Sequence, residues 1–418
     1  MNNLDIYQKQ AVLSTHRNTV VTACPGAGKT TVICGRIEAM LAQEHEPGHV
    51  RIALITYTNA AANEFRKRLP NRSQRLLKFS GTIHGFAKWW IEEHCPDPDG
   101  NKTALTVMDE DESMDLLTAL VEHYGLAKKF TKTALKEILR RTDDPPVGLC
   151  HDPEDNLYRS FLKRQWDTAR YSFAGLLATA RREMAQRSYE AFDLVVDEYQ
   201  DASKSTHELL EGLKTSSRFY VGDANQSIFG FIGGSPERLL ELAGRAKSDP
   251  ENWTHVQLEN TYRCAAAIAE AANKVVARMT SRTVMASRSA DEGTVDLIGF
   301  RTSAEEQIKV AKDILECRGL EDCEGGMAVL CRTNAQCEDM RGMLRSMGIP
   351  VTERRRRDQL PGLRSALVVL DYLAKPYSEG AIDAVNKLTL SPKDYTAKRQ
   401  YALKECKEME GPIWAHMA

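Results

Sequence analysis

A glycine-rich segment near the start of the chain has residues that could bind phosphate. Residues 20 to 37 read VVTACPGAGKTTVICGRI, in which an apolar run precedes glycines, a lysine and threonines. Backbone N–H groups of such a loop turn towards phosphate oxygens, Lys29 would reach the terminal phosphates, and Thr30 would hold Mg²⁺. The pattern departs from the strict phosphate loop because Ala23 replaces a glycine. The predicted triphosphate-binding residues are Ala23, Cys24, Pro25, Gly26, Ala27, Gly28, Lys29, Thr30 and Thr31.

Two carboxylates could complete this site. The segment FDLVVDEYQD, residues 192 to 201, is an apolar run that leads into Asp197 and Glu198. Asp197 suits Mg²⁺ binding, directly or through water, and Glu198 could orient or deprotonate an attacking water molecule. Alone, the two motifs could be a structural glycine turn and a solvated strand end. Together they predict hydrolysis of a nucleoside triphosphate, with the carboxylates beside the phosphate loop at neighbouring strand ends.

Short apolar runs predict the sheet that positions these motifs. Each run ends in small or polar residues and precedes a helical pattern, which is typical of a parallel sheet covered by helices on both faces. Ligands of such α/β folds bind at the carboxyl ends of the strands. The runs are NTVVTA (18–23), RIALITYT (51–58), FDLVVDE (192–198), SRFYVGD (217–223) and MAVLCRT (327–333).

No comparable strand pattern occurs between residues 88 and 190. The segments DEDESMDLLTALVEHYGLA (109–127) and TKTALKEILRR (131–141) instead have helical spacing and starts that suit helix N-termini. We therefore predict a helical insertion within the first α/β domain. A second α/β unit is predicted from about residue 263 to residue 376.

Composition is that of a globular protein. The chain has 418 residues, of which 42% are hydrophobic and 27% charged, enough for two or three domains. The formal net charge of −2 neither indicates nor excludes a local basic track for nucleic acid. Ten cysteines without a C-x-x-C pair argue against a zinc cluster or a disulfide framework and fit a reducing cytosol. Without an apolar signal segment or a membrane-length apolar run, we expect a cytoplasmic protein with no membrane partner.

Further blocks of sequence resemble superfamily 1 DNA helicases of the UvrD, PcrA and Rep type. These blocks are ITYTNAAANEFRKRL, GTIHGF, VVDEYQDAS, FYVGDANQSIFGF and VQLENTYRCAAAIAEAAN, which follow the phosphate loop in the family order. The likeness covers about residues 4 to 376. It implies an α/β fold in which a RecA-like phosphate-loop domain with a parallel sheet carries a helical insertion and precedes an incomplete second RecA-like domain.

The resemblance also divides the chain. Residues 1–87 and 191–262 would form the first motor domain, and residues 88–190 the helical insertion. Residues 263–376 would form part of the second motor domain, and residues 377–418 stay undefined. The implied ligands are ATP and Mg²⁺, bound at the cleft between the two motor domains.

The resemblance assigns further residues to the nucleotide site. Gln8, in LDIYQKQAV, would read the adenine edge, and Arg36, after the phosphate loop, matches an arginine of the family's nucleotide site. Gln226, in GDANQSIFGF, would sense the γ-phosphate. In NTYRC, Tyr262 would stack on the base and Arg263 would act as an arginine finger from the second domain, worth about 10³–10⁵ in rate. The implied catalytic residues are Lys29, Glu198, Gln226 and Arg263, and the implied metal ligands are Thr30 and Asp197.

Single-stranded DNA is the implied partner. Base–aromatic stacking is worth about 1–3 kcal/mol per base and is indifferent to sequence, as a translocating motor requires. His84 is also compatible with a core imidazole, and Phe229 and Phe231 with one face of a buried strand. The DNA-binding residues implied by the resemblance are Tyr57, Thr58, Asn59, Thr82, His84, Phe229 and Phe231.

The sequence departs from the family pattern in several places. Ile232 replaces an arginine after the GDANQSIFGF motif, and Ala60 replaces a lysine near the DNA strand. Two final blocks, like H-x-x-K-G-L-E and VAxTRA, do not occur before Ala418. We expect a partner protein, a second copy of the chain or a local refold to cover the incomplete second domain. The arginines of ERRRRD (353–358) are either a solvated loop or a phosphate contact.

The implied activity is that of an ATP-dependent DNA helicase or translocase, moving in the 3′–5′ direction, in DNA repair or antiviral defence. The alternative is a regulatory subunit that senses ATP and DNA for a partner nuclease, with weak or no unwinding of its own. The intact Lys29, Asp197 and Glu198 favour the motor, whereas the missing final blocks favour the regulatory subunit.

Overall fold

The computed structural model describes residues 4–43, 50–96, 104–143, 152–227, 234–279, 283–317 and 326–352. Contacts divide the chain into two compact units, with the division between Asp296 and Leu297. The predicted boundary after residue 262 differs from this division, and the assignment of residues 263–296 to a second motor domain stays a prediction. None of the described helices combines the length and the apolar composition that crossing a membrane would require.

The first unit is built on a parallel sheet. The strands among the described residues are β1 (Asn18–Ala23), β2 (Ile52–Ile55), β3 (Leu77–Gly81), β4 (Thr106–Val107), β5 (Arg170–Tyr171), β6 (Phe192–Val196), β7 (Thr215–Gly222), β8 (Trp253–Leu258), β9 (Asn260–Thr261) and β10 (Ala286–Ser287). Six of them form the central sheet in the order β3-β2-β6-β7-β1-β8, and every pairing is parallel. The predicted α/β fold with a parallel sheet is therefore confirmed, with strands at the four runs predicted before residue 224.

Helices alternate with these strands. They are α1 (Ile6–Val12), α2 (Lys29–Gln43), α3 (Asn59–Arg68), α4 (Asn71–Gln74), α5 (Ile83–His94), α6 (Glu110–His123), α7 (Lys132–Arg140), α8 (Pro153–Thr168), α9 (Phe173–Gln186), α10 (Lys204–Gly212), α11 (Pro236–Ser248), α12 (Ala266–Val276), α13 (Ser303–Cys317) and α14 (Asn334–Ser346). α6 and α7 confirm the helices predicted at 109–127 and 131–141. Together with α8 they pack around a cluster of their own that includes Leu117 and Phe161.

Hydrophobic clusters cover both faces of the central sheet. Successive side chains of a strand point to opposite faces, and Val20 and Val21 of β1 accordingly belong to different clusters. α5 contributes Trp90 to the first cluster, and α2 contributes Ile33 to the second. Every residue of β1 is buried, as expected for a strand in the interior of a parallel sheet that is covered on both faces.

The edge strands β3 and β8 were not among the predicted runs. Both are only partly buried, and their sequences LKFSG and WTHVQL mix polar with apolar residues. An edge strand has a neighbour on one side only, so its side chains and backbone are less enclosed than those of a central strand. Continuous apolar runs therefore identify the centre of this sheet and not its borders.

The second unit contains two helices among its described residues. α13 and α14 pack around Ala311, Met340 and Leu344. The strand predicted at 327–333 is wrong, because these residues form no strand and Leu330 is 94% exposed. A strand needs a neighbour for its backbone N–H and C=O groups, and no strand occurs among the described residues of this unit.

Candidate nucleotide site and DNA-binding surface

The loop between β1 and α2 has a backbone that requires glycine. Gly26 and Gly28 have φ angles of 76° and 80°, in the left-handed region that other residues rarely adopt. A Cβ atom added to Gly26 would lie 2.6 Å from Cβ of Arg263, and one added to Gly28 would lie 2.8 Å from Nε2 of Gln8. Both positions therefore exclude side chains by conformation and by space.

Lys29 and Glu198 form an ion pair beside this loop. Nζ of Lys29 lies 2.7 Å from Oε2 of Glu198, and both side chains are partly buried. The prediction that the carboxylates follow a strand next to β1 is wrong, because β7 lies between β1 and β6. The long lysine side chain nevertheless brings its ammonium group to the carboxylate. The structure thus joins the two sequence motifs directly.

A buried glutamine connects the groups at the ends of β6 and β7. Nε2 of Gln200 donates to Glu198 at 3.0 Å and to Asp201 at 3.1 Å, while its Oε1 accepts from the backbone N–H of Asp223 at 2.9 Å. Asp223 in turn accepts a hydrogen bond of 2.7 Å from Nε2 of Gln226, the predicted γ-phosphate sensor. Gln200 was not among the predicted site residues, although it lies inside the DEYQD motif. Its position beside Glu198 would fix the direction of that carboxylate.

Asp197 has the properties of a magnesium ligand. Its carboxyl group is buried, and its Oδ1 has no hydrogen-bond partner among the described residues. Burial, followed by the nearby Glu198, raises the pKa of Asp197 to about 7. A divalent cation would compensate this buried charge, and Mg²⁺ typically takes one or two carboxylates together with substrate phosphates. The donor set of Asp197 and the Thr30 hydroxyl at the start of α2 therefore fits the predicted ion.

The predicted adenine-binding residues meet at α1. Nε2 of Gln8 donates to the carbonyl oxygen of Ala27 at 3.0 Å, so α1 contacts the phosphate loop directly. The backbone N–H of Tyr262 donates to Gly26 at 3.0 Å, and its hydroxyl donates to Oδ2 of Asp5 at 2.6 Å. Tyr262 is 48% exposed, which leaves part of its surface open to a base.

Arg36 is buried between α1 and α2. Its Nη1 donates to the carbonyl oxygens of Val12 at 3.1 Å and Ser14 at 2.6 Å. Burial lowers the pKa of the guanidinium group. In this structure Arg36 thus holds the end of the helix that carries Gln8, and a direct contact with nucleotide stays a prediction.

Arg263 lies against the phosphate loop within the first unit. Its backbone N–H and that of Cys264 are directed at Oγ1 of Thr261 at 3.4 and 3.3 Å, and its side chain is exposed. Its Cβ faces Gly26, as described above. The role of Arg263 as an arginine finger stays a prediction.

The other predicted loop residues differ in exposure. Ala23, Cys24 and Ala27 are buried, Pro25 is half-buried and Thr31 is exposed. Sγ of Cys24 donates to the carbonyl oxygen of Glu259 at 3.4 Å, and burial raises the pKa of this thiol to about 12. Cys24 is therefore a protonated packing residue and not a nucleophile.

The predicted DNA-binding residues follow β2 and β3 at the same end of the sheet. Tyr57, Thr58 and Asn59 are exposed. The hydroxyl of Thr58 caps α3 by accepting from the N–H of Ala61 at 3.1 Å, and Thr82 caps α5 in the same way. Ala60 is also exposed in the first turn of α3, where a lysine would have added charge. The predictions for Phe229, Phe231, Ile232 and residues 353–358 lie outside the described residues.

His84 contacts an exposed aromatic ring that the sequence analysis did not single out. The rings of His84 and Phe173 meet edge to face with centroids 5.0 Å apart, and Phe173 is 55% exposed. Burial lowers the pKa of His84, so the imidazole is uncharged at neutral pH. Phe173 begins α9, and nothing in its local sequence YSFAGLL indicates that it contacts His84 of the GTIHGF segment.

A groove of about 820 Å³ opens beside these two rings. It lies between α5, α6, α7, α9 and α10. Its charges nearly balance, because basic and acidic residues both line it: Lys136, Arg140, Arg141, Lys204, Asp109, Glu110, Asp143 and Glu208. Arg141 is moreover paired with Asp143 and Asp155 at 2.8 Å each. Among the described residues, the groove thus offers aromatic and polar contacts with equal numbers of basic and acidic side chains.

Known proteins share these features of the sequence. The family profile described as the UvrD/REP helicase N-terminal domain matches residues 4–247, and that of the UvrD-like helicase C-terminal domain matches residues 256–382. The ATP-dependent DNA helicase UvrD1 of Mycobacterium tuberculosis is 27% identical over an alignment that covers 84% of this chain and 49% of UvrD1.

Two other relatives have similar coverage. The ATP-dependent DNA helicase PcrA of Staphylococcus epidermidis is 25% identical, over 84% of this chain and 51% of PcrA. DNA helicase II of Haemophilus influenzae is 28% identical, over 80% of this chain and 49% of that protein. The chain therefore spans about half the length of the curated relatives it matches.

Proposed function

Because this chain belongs to the UvrD/REP helicase family, we propose that it is an ATP-dependent DNA helicase or translocase that moves on single-stranded DNA in the 3′–5′ direction. The direction and the single-stranded substrate rest on the resemblance alone. The observation that carries the proposal is the ion pair of Lys29 and Glu198, with 2.7 Å between Nζ and Oε2. The pair brings a phosphate-binding cation and a water-orienting carboxylate to one edge of the sheet.

ATP would reorganise this pair. The terminal phosphates offer Lys29 more negative charge than one carboxylate does, and the N–H groups of the phosphate loop and α2 favour an anion at the same place. Lys29 would then turn to the phosphates, which releases Oε2 of Glu198 to accept a hydrogen bond from water. Gln200 would keep the carboxylate in place through its hydrogen bond of 3.0 Å. Mg²⁺, held by Thr30 and Asp197, would neutralise charge on the phosphates.

Gln226 and Arg263 would complete the phosphate site. Gln226 stands next to Asp223 at the end of β7, where its amide could report whether the γ-phosphate is present. Cβ of Arg263 faces Gly26 of the phosphate loop. A small movement of residues 261–263 would therefore change the distance between the guanidinium group of Arg263 and the phosphates. This arrangement supports coupling between ATP turnover and a conformational change that moves DNA.

The test is a DNA-stimulated ATPase assay of the Glu198→Gln variant. We expect nucleotide affinity within about threefold of wild type and a fall in turnover of about 10²–10⁴-fold, because only the water-activating group changes. The matched control is Glu190→Gln at the other end of the same strand, where an exposed glutamate pairs with Arg51. The control should retain wild-type turnover, since an exposed pair contributes little.

Equal losses of affinity and turnover in Glu198→Gln would contradict the role given to this carboxylate. ATP binding by wild type without turnover, followed by turnover when a nuclease partner is added, would favour the alternative function of a regulatory subunit in antiviral defence. Turnover by the chain alone, with strand displacement from a 3′ single-stranded tail, would support the motor.

A further inference from the structure

Asp5 contacts both side chains that are proposed to recognise adenine. Its Oδ1 accepts from the backbone N–H of Gln8 at 2.7 Å, which caps α1. Its Oδ2 accepts from the hydroxyl of Tyr262 at 2.6 Å and from Nδ2 of Asn260 at 2.8 Å. One carboxylate thus joins the start of the chain to the segment that carries Arg263.

The same contacts fix the orientation of the Gln8 amide. Oε1 of Gln8 accepts from the backbone N–H of Asp5 at 3.1 Å, and Nε2 donates to the carbonyl oxygen of Ala27 at 3.0 Å. A rotated amide would place NH₂ against an N–H and oxygen against a carbonyl oxygen, and both hydrogen bonds would be lost. The side chain therefore keeps its acceptor and its donor in defined directions.

A fixed amide can distinguish adenine from guanine. Adenine presents the N6 amino donor beside the N7 acceptor, which a glutamine amide can bind with two hydrogen bonds. Guanine presents O6 and N7, which are both acceptors, so the amide oxygen would face an oxygen. Only a side chain that cannot rotate freely makes this distinction, because a rotated amide could still donate to guanine.

We propose that Asp5 is a positioning residue for base recognition, which holds the ring of Tyr262 through its hydroxyl and the amide of Gln8 through the capped turn. This inference rests on the proposed function, because it concerns the same nucleotide site. It adds that the preference for adenine depends on a residue that need not touch the base.

The variant that tests the inference is Asp5→Ser. Serine caps a helix about as well as aspartate does, so its single oxygen can keep the N–H of Gln8 satisfied. The shorter side chain has no second oxygen for Tyr262 and Asn260. We expect Asp5→Ser to raise the Kd values for ATP and for GTP alike, by about tenfold, because stacking on Tyr262 is indifferent to the base. Asp5→Ala removes the cap of Gln8 as well, so we expect it also to lower the preference for ATP over GTP by about tenfold. The measurement is displacement of a ribose-labelled fluorescent ATP by unlabelled ATP or GTP in the presence of Mg²⁺.

Tyr262→Phe keeps the aromatic face and removes the hydroxyl. Like Asp5→Ser, it should weaken ATP binding. The double variant Asp5→Ser/Tyr262→Phe should bind ATP no more weakly than the weaker single variant, because both substitutions remove the same hydrogen bond between Tyr262 and Asp5. Tyr7→Phe, an exposed tyrosine on the same helix, is the matched control and should leave both affinities unchanged.

The outcomes separate the inference from the function it rests on. Wild-type protein that binds neither the probe nor ATP would overturn the proposed function and the inference with it. Wild-type protein that prefers ATP, with an unchanged preference in Asp5→Ala, would overturn the inference alone. An unchanged Kd for ATP in Asp5→Ser would also overturn it, since the contact with Tyr262 would then contribute nothing to binding. Thermal unfolding within a few degrees of wild type verifies that each variant is folded.

Discussion

The proposed nucleotide site and the proposed DNA-binding surface lie at the carboxyl end of the same parallel sheet, yet they use different chemistry. After β1 and β6 come charged groups that contact each other, namely the pair of Lys29 and Glu198 with Asp197 beside it. After β2 and β3 come Thr58 and Thr82, which are uncharged and whose hydroxyls cap the following helices.

Under the proposed function, one sheet edge would recognise two phosphate-containing ligands separately. At the phosphate loop the charged side chains of Lys29 and Glu198 are partly buried. A triphosphate and a divalent cation can replace this ion pair. The proposed DNA-binding surface instead offers the exposed ring of Phe173 beside a groove whose described basic and acidic residues balance. A strand held mainly by stacking can slide, because every base presents an equivalent face.

The largest effect that tests this comparison is expected at Arg263. Replacing Arg263 with alanine should lower ATP turnover by about 10³-fold or more and change ATP affinity by less than about tenfold, because an arginine finger acts on transition-state charge. Single-turnover hydrolysis and equilibrium binding of ATP measure the two quantities. Single-stranded DNA affinity should not change, since Arg263 belongs to the charged side of the comparison.

Arg278→Ala is the control for this experiment, since Arg278 is an exposed arginine just after α12. It should hydrolyse ATP at the wild-type rate. An unchanged rate in the Arg263 variant would remove the support for a finger, and a matching loss of DNA affinity would show that the two surfaces are not chemically separate.

The buried carboxylate of Asp197 predicts a pH-dependent stability. Its pKa is raised from 3.8 to about 7, so the folded state binds its proton more tightly than the unfolded state does. Its contribution to stability is therefore fully present below pH 4, falls as the pH rises, and levels off above about pH 7. Without Mg²⁺, Asp197→Asn should raise the free energy of unfolding at pH 8 by up to about 4 kcal/mol and leave it unchanged at pH 3.5.

Denaturant unfolding at both pH values measures this difference. Asp193→Asn is the matched control, because Asp193 lies on the same strand and its carboxylate accepts a hydrogen bond of 2.6 Å from Ser217. The control should not gain stability at pH 8. If the stability of Asp197→Asn differs from that of wild type by the same amount at both pH values, the carboxylate is not penalised by burial, which would weaken its assignment as a cation ligand.

The sequence predicted this charged region better than the uncharged one. Gly26, Gly28 and Lys29 are close in the chain and have conformational requirements that a local pattern reveals. The contact of Asp5 with Tyr262 joins residues 257 positions apart, so no local pattern could have indicated it. The same reason hid Phe173, whose meeting with His84 depends on the packing of α5 against α9. The edge strands were missed for a different reason, because they are only partly buried.

The smallest effect is expected on the uncharged side, at Phe173. Phe173→Ala should weaken single-stranded DNA binding by about tenfold, since one stacked base is worth about 1–3 kcal/mol, and should leave ATP affinity unchanged. Tyr124→Ala is a matched control, because Tyr124 is 51% exposed and also lies edge to face against a histidine, His123, at 4.9 Å. Fluorescence anisotropy of a labelled oligonucleotide at several salt concentrations measures binding.

If Phe173 acts by stacking, the variant keeps the salt dependence of wild type, because no phosphate contact is removed. A reduced salt dependence, or an equal loss in both variants, would contradict stacking at this ring.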